Sequence, residues 1–287
     1  MEIKNVGVVG CGIMGAGIAQ LCAQSGYNVT VSEINDALLQ KGLNSIDGQL
    51  NRQVDKGKMK AEDKSAIMAR IKGTTSLADF SGVDIVIEAA TEDLAIKKTI
   101  FAQLDKVCPE KAILATNTSV LCVAEIAGAT RRPDKVLGMH FANPVPVTKI
   151  LEMIKTIATS EATINAGKSF GASIGKTVVL TKDLPGFISN RIFSSFLLNA
   201  VRLVQEGIAT PEDIDTVFKL GAGHAMGPLE TLDFVGIDTV YRGAKAMYEE
   251  LHDPQYAPPP LLTRMMALGW LGRKTGKGFY DYKAPGS

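Results

Sequence analysis

Short, almost continuously apolar segments alternate with longer stretches of helical periodicity through the first two-thirds of this 287-residue chain. Val6-Val9, Asn28-Ser32, Asp84-Glu88, Ala112-Thr116, Lys135-Phe141, Ile150-Ile154 and Thr177-Leu180 predict strands. Apolar residues at successive positions require burial on both faces, which a mostly parallel sheet covered by helices supplies. Helices are predicted from Met14, through roughly residues 36–70, after Leu94, and from the Thr159-Thr163 stretch, where Ser160 or Thr159 is the cap. After Leu184-Pro185-Gly186 the pattern changes. Ile188, Ile192, Phe196, Leu197, Ala200 and Val204 recur at helical spacing, with Pro211, Pro228 and the Tyr256 to Pro260 stretch as punctuation. The expectation is an α/β domain over 1–184 and an all-helical domain over 185–287.

The first strand runs straight into Gly10-Cys11-Gly12-Ile13-Met14-Gly15, and the second strand ends on Glu33. That order of strand, glycine turn, helix, strand and acid is the form of a dinucleotide site and makes the sheet a Rossmann-type, doubly wound one. Gly10 permits the turn, Gly12 leaves room for a pyrophosphate, and Gly15 lets the helix pack close. Amides of the first helical turn, at Ile13, Met14 and Gly15, point at the anion together with the positive end of the helix dipole. Glu33 stands where an acid accepts hydrogen bonds from ribose hydroxyls and repels a 2′-phosphate, so NAD is expected rather than NADP.

Composition narrows the partners. With 31 Lys+Arg against 30 Asp+Glu, the formal charge of +1 gives no global field for nucleic acid or an anionic membrane. Met1 to Val6 enter the first strand without a signal-peptide pattern, and no uninterrupted apolar run is long enough to span a bilayer. A cytoplasmic protein is expected. Cys11, Cys22, Cys108 and Cys122 lack metal-ligand spacing and read as buried thiols, Cys11 as a small filler, and no metal is expected. Apolar residues such as Phe234 and Val235 on the helical domain suggest a homodimer.

His140 ends a predicted strand, at the sheet edge where ligands of such folds gather, and a neutral imidazole there can take a hydroxyl proton. Outside that context it would be an ordinary hydrogen-bonded core histidine. Glu152 interrupts an apolar strand, where a carboxylate requires a partner, and an imidazole suits it. Asn117-Thr118-Ser119 follows another strand and brings a hydroxyl to the same edge; by itself it reads as a cap for the next short helix. Asn190 opens the helical domain, either as a hydrogen-bonding group for a substrate oxygen or as a helix cap.

These residues sit in segments by which the chain resembles the (S)-3-hydroxyacyl-CoA dehydrogenase family, and within it the short bacterial 3-hydroxybutyryl-CoA dehydrogenases. The segments are GCGIMGAGIAQ at 10–20, IEAATED at 87–93, NTS at 117–119, GMHFANPVP at 138–146, LPGFISNRI at 184–192, EGIATPEDID at 206–215, GPLETLDFVG at 227–236 and LGRKTGKGFYDY at 271–282. The resemblance implies NAD-dependent interconversion of a 3-hydroxyacyl-CoA and a 3-ketoacyl-CoA. It implies His140 as acid/base, Glu152 as its charge partner, and Ser119 and Asn190 as groups around the 3-oxygen. It further implies that Glu33, Glu92, Lys97, Asn143 and Lys274 contact NAD and that Lys56 approaches CoA. Arg52, Lys56, Lys58 and Lys60 form the local cationic cluster that CoA phosphates need. Many relatives carry a serine at Val120, an aromatic residue at Ala142 and an aspartate at Glu33. A hydroxy-acid dehydrogenase that does not use CoA, or a crystallin-like NAD-binding structural protein, would be the alternatives.

Overall fold

The computed structural model describes residues 2–282. The chain divides between Asp183 and Leu184 into two compact units. The first unit is built on an eight-stranded sheet. Its strands are β1 (Asn5–Val9), β2 (Asn28–Ser32), β3 (Ile71–Thr74), β4 (Ile85–Glu88), β5 (Ile113–Thr116), β6 (Val136–Phe141), β7 (Ile150–Lys155) and β8 (Thr177–Lys182). They lie in the order β3-β2-β1-β4-β5-β6-β7-β8. Helices α1 (Ile13–Gln24), α2 (Asp36–Asp55), α3 (Ala61–Ala69), α4 (Leu94–Val107), α5 (Val123–Ala127) and α6 (Glu161–Ser173) cover it.

The strands from β3 to β6 pair in parallel, and the order reverses at β1 and β4, which creates the crevice at the strand carboxyl ends where ligands bind. β7 runs antiparallel to β6, because residues 142–149 are too few for the crossover of about a dozen residues that a parallel return needs. β8 then pairs in parallel with β7. The core is the doubly covered apolar set expected from the strand pattern, with Val6, Val8, Val31, Ile85, Ile87 and Leu114 fully buried.

One local feature departs from the sequence pattern. The helical stretch over 36–70 breaks into α2 and α3 and is followed by β3, whose Ile71-Lys72-Gly73-Thr74 is too polar to register as a strand. Tertiary hydrogen bonds make it one: the Val29 amide donates to Arg70 O at 2.8 Å and the Glu33 amide to Thr74 O at 3.1 Å. At α6, Ser160 is the cap, accepting from the Thr163 amide, while the Thr159 hydroxyl is spent on Val136 O.

The second unit contains α7 (Ser189–Gln205), α8 (Pro211–Thr216), α9 (Pro228–Val235), α10 (Ile237–Leu251) and α11 (Pro260–Ala267). Its own core includes Leu197, Val201, Leu229, Leu232, Ile237 and Leu262. Pro211, Pro228 and Pro260 open helices, where a missing amide costs nothing. Asp233 accepts from the Phe279 and Tyr280 amides at 3.0 Å and so ties the final segment to α9.

Candidate active site

The glycine turn after β1 is shaped by close approaches. Gly10 has φ +91°, and a Cβ there would lie 2.7 Å from Ala89 O, just past β4. A Cβ on Gly15 would fall 1.9 Å from Gly10 O, so only glycine lets α1 start this close to the turn. Around Gly12 the space is open within 4 Å. The amides of Ile13, Met14 and Gly15 belong to the first turn of α1 and have no intrahelical acceptors. Glu33 reaches back to this turn, with Oε1 accepting from the Cys11 amide at 2.7 Å and Oε2 from the Ile34 amide at 3.1 Å. Cys11 is buried, and burial, reinforced by the Glu33 charge, pushes its thiol up to about 11.

At the far side of the parallel strands, the antiparallel β6–β7 register sets His140 directly opposite Glu152. Glu152 Oε2 lies 2.8 Å from His140 Nδ1, and the two side chains are 7% and 13% exposed. Ser119 Oγ lies 3.2 Å from His140 Nε2. With Nδ1–H donated to the carboxylate, Nε2 is the nitrogen available for proton exchange. Asn117 fixes the strand end by accepting from the Phe141 amide through Oδ1 at 2.9 Å. Thr118 shapes a turn, its Oγ1 accepting from the Leu121 amide at 2.9 Å, and the cap position of α5 is Cys122. The triplet 117–119 is therefore not a helix cap.

Adjacent loops knit the two regions together. Ala89 touches the glycine turn, the Asn117 amide donates to Glu88 O at 2.7 Å, and Asn117 in turn holds β6. The glycine turn and the Glu152–His140 pair thus share one edge of one sheet.

Residues 5–184 match the family model described as 3-hydroxyacyl-CoA dehydrogenase, NAD binding domain, and residues 186–282 match the one described as 3-hydroxyacyl-CoA dehydrogenase, C-terminal domain. The chain belongs to the 3-hydroxyacyl-CoA dehydrogenase family. It is 44% identical to the probable 3-hydroxybutyryl-CoA dehydrogenase of Bacillus subtilis, over 99% of each chain. It is 42% identical to the human mitochondrial hydroxyacyl-coenzyme A dehydrogenase, over 98% of this chain and 92% of that protein. The crystal structure of (S)-3-hydroxybutyryl-CoA dehydrogenase from Ralstonia eutropha superposes with a TM-score of 0.96 at 43% identity, covering 99% of this chain and 100% of that one.

In this dehydrogenase the residues fit NAD: the space above Gly12 and the acceptor-free amides of α1 suit a pyrophosphate, and Glu33 suits a ribose diol. Asn143 follows β6 and precedes Pro144 through a cis peptide bond. Glu92, 40% exposed at its side chain, accepts from Thr118 Oγ1 at 2.5 Å and from the Ser119 amide at 2.8 Å. Lys97 is enclosed, with 1% of its side chain exposed, and its Nζ lies 2.7 Å and 2.9 Å from the two oxygens of Glu88 and 3.5 Å from Glu92 Oε2. Among the cationic cluster, Arg52, Lys56 and Lys58 line an open groove of about 250 Å³ together with Gln49, Pro146 and Val147, whereas Lys60 stands apart from it at the start of α3.

Two implied site residues belong to the helical unit. Asn190 lies in the first turn of α7, whose cap position is Ile188, so Asn190 is not the cap. Lys274 is ion-paired to Asp238, which Arg242 also meets at 2.7 Å. Burial works against the Asp238 carboxylate, but Lys274 and then Arg242 outweigh it and hold its carboxyl below the usual range.

Sequence reasoning missed Glu88 and Thr116. Glu88 is fully buried and Thr116 Oγ1 donates to its Oε2 at 2.7 Å. The clue was present: Ile85-Val86-Ile87-Glu88 ends an apolar strand on a charge, as β7 carries Glu152.

Proposed function

We propose that this enzyme interconverts (S)-3-hydroxybutyryl-CoA and acetoacetyl-CoA with NAD(H). The observation that carries the proposal is the line Glu152, His140, Ser119 at the carboxyl ends of β5 and β6, on the same sheet edge as the glycine cradle. Bound NAD⁺ supplies the acceptor for the C3 hydride. Glu152 holds the imidazole so that Nε2 takes the hydroxyl proton in oxidation, and the imidazolium returns it to the 3-oxygen in reduction. Ser119 hydrogen-bonds that oxygen, and Asn190 supplies an amide to the substrate. The cofactor is held by Gly10, Gly12, Ile13, Met14, Gly15, Glu33, Glu92, Lys97, Asn143 and Lys274. Lys56, with Arg52 and Lys58 in its groove, meets the anionic CoA moiety. In this reading the first unit binds the cofactor and the helical unit serves substrate binding and dimerisation.

The working form in this proposal is a homodimer. Leu220 and Phe234 of the helical unit are 84% and 60% exposed, and a second copy of the chain is the partner such apolar residues suit. Among the described residues no helix is long and apolar enough to cross a membrane. A cytoplasmic place in butyrate or fatty-acid metabolism belongs to the same reading.

The test is NADH oxidation followed spectrophotometrically with acetoacetyl-CoA, longer 3-ketoacyl-CoAs and free acetoacetate, each repeated with NADPH. Turnover with acetoacetyl-CoA and NADH, and none with free acetoacetate, is expected. Equal turnover of free acetoacetate would leave CoA recognition without a role. Sedimentation analysis checks the dimer, and a monomer at micromolar concentration would remove it.

A further inference from the structure

We propose that Glu88 is a positioning residue that sets Ser119 against His140 through Lys97 and Glu92. This rests on the role given above to Ser119 and extends it to a carboxylate that touches neither substrate nor cofactor.

Glu88 is the last residue of β4, paired in register with Val9 of β1 on one side and Thr116 of β5 on the other. It therefore stands between the strand that leads to the glycine turn and the strand that leads to Ser119. Its side chain is fully buried, yet each oxygen is satisfied. Oε1 accepts from the Ala90 amide at 2.7 Å and from Lys97 Nζ at 2.7 Å; Oε2 accepts from Thr116 Oγ1 at 2.7 Å and from Lys97 Nζ at 2.9 Å. A buried carboxylate held by four contacts from three elements has one available geometry.

The geometry is passed on. Lys97, fixed on Glu88, places its ammonium 3.5 Å from Glu92 Oε2. Glu92 lies in the loop between β4 and α4 and is 40% exposed at its side chain, so nothing in its own burial would hold it. Once its Oε2 is drawn to Lys97, Oε1 takes the Ser119 amide at 2.8 Å and Thr118 Oγ1 at 2.5 Å. That fixes the backbone of residue 119 and so the 3.2 Å approach of its Oγ to His140 Nε2. Thr116 and Thr118 flank the same path from the other side, since the Thr118 amide points at Thr116 Oγ1 at 3.4 Å.

Neutralising Glu88 leaves the Lys97 ammonium buried with Glu92 as its remaining carboxylate, which pulls Glu92 inward and away from the Ser119 amide. Glu88→Gln should therefore lower kcat by about 10- to 100-fold with the KM for acetoacetyl-CoA changed by less than about twofold. In a Ser119→Ala background the same substitution should lower kcat by less than about twofold, because the group it positions is already gone. A readout independent of turnover comes from ¹⁵N spectra of the imidazoles, of which the chain has three. Glu88→Gln should move the His140 Nε2 signal in the direction that Ser119→Ala moves it, and should not move it further in the double variant.

Equal effects of Glu88→Gln in the two backgrounds, on kcat and on the imidazole signal, would overturn the proposal. If Ser119→Ala leaves kcat unchanged, the catalytic role of Ser119 fails, while the imidazole signals still decide whether Glu88 sets the Ser119–His140 contact. Should Glu88→Gln not fold, the Glu88→Gln/Lys97→Gln pair, which removes both charges together, and Thr116→Val, which loosens Glu88 without a charge change, carry the same cycle.

Discussion

Glu152 Oε2 stands 2.8 Å from His140 Nδ1 because β7 returns antiparallel beside β6 and places the two residues opposite one another. A parallel return would have needed a longer connection and a different register, so the reversal at the sheet edge is what builds the pair. His140→Ala should lower kcat by about 10²- to 10⁴-fold while leaving NADH affinity within about twofold, since the proposed mechanism assigns the imidazole a proton and not the nucleotide. Glu152→Gln keeps the shape and removes the charge that orients the ring, and a loss of the same order is expected. Stopped-flow turnover and NADH fluorescence titration measure the two quantities. Near-normal turnover of either variant would remove the pair from the mechanism.

Gly42 lies inside α2, where replacement by alanine ordinarily stabilises a helix by about 1 kcal/mol. Here the sign should reverse. A Cβ at Gly42 would lie 2.2 Å from Cys11 Sγ and 2.3 Å from Cys11 O, so α2 is packed directly on the glycine turn. Gly42→Ala should destabilise by about 1–3 kcal/mol and weaken NADH binding by displacing the turn. Adding Cys11→Gly removes the sulfur but not the carbonyl, so only part of the loss should return. Thermal unfolding and NADH titration of the two variants check this, and a stabilised Gly42→Ala would show that the turn gives way freely.

The glycine turn, Glu33, seven of the eight strands and the change to helices after Pro185 were legible because each follows from local pattern: glycine spacing, an acid at a strand end, apolar runs, helical periodicity. His140 and Glu152 were legible as types, one histidine at a strand end and one charge in an apolar strand. Their pairing depends on a register that only the sheet provides. β3 was hidden because Lys72 and Gly73 carry no strand signal and the neighbouring strand imposes the conformation. Glu88 was hidden for the opposite reason. Its signal resembled that of Glu152, but its partners Lys97 and Thr116 come from two other elements, and nothing in their spacing links them. Lys60 shows the limit of charge counting, since proximity in sequence to Arg52, Lys56 and Lys58 did not bring it into their groove.

Glu33 serves two masters, the Cys11 amide at 2.7 Å and, in the proposed complex, the ribose. Glu33→Gln retains an acceptor for the amide but not the charge. Hydrogen bonds to charged groups contribute about 1.5–3 kcal/mol, so NADH affinity should fall by about tenfold or more. Repulsion of a 2′-phosphate disappears with the charge, and the ratio of kcat/KM for NADH over NADPH should fall with it. Parallel assays with the two cofactors measure the ratio, and an unchanged preference would move cofactor discrimination to another residue.

Asp105 in α4 holds the segment that leads into β6. Its Oδ1 accepts from Arg132 Nε at 2.7 Å and its Oδ2 from the Arg131 amide at 3.1 Å. Burial raises the carboxyl, but the Arg131 amide and the Arg132 and Arg131 side chains outweigh it and hold it below the ordinary aspartate value of about 3.9. A carboxyl that binds its proton more weakly in the folded state contributes stability above the unfolded pKa and loses it as pH falls through the folded one. Asp105→Asn leaves the Arg132 guanidinium, nearly enclosed at 10% side-chain exposure, without its charge partner, and should cost about 3 kcal/mol at neutral pH. The difference in Tm between wild type and variant should hold from pH 7 to about pH 4 and shrink below that, as the wild-type carboxyl protonates. A difference that stays constant down to about pH 2 would mean that shape and hydrogen bonding, rather than charge, anchor the strand that carries His140.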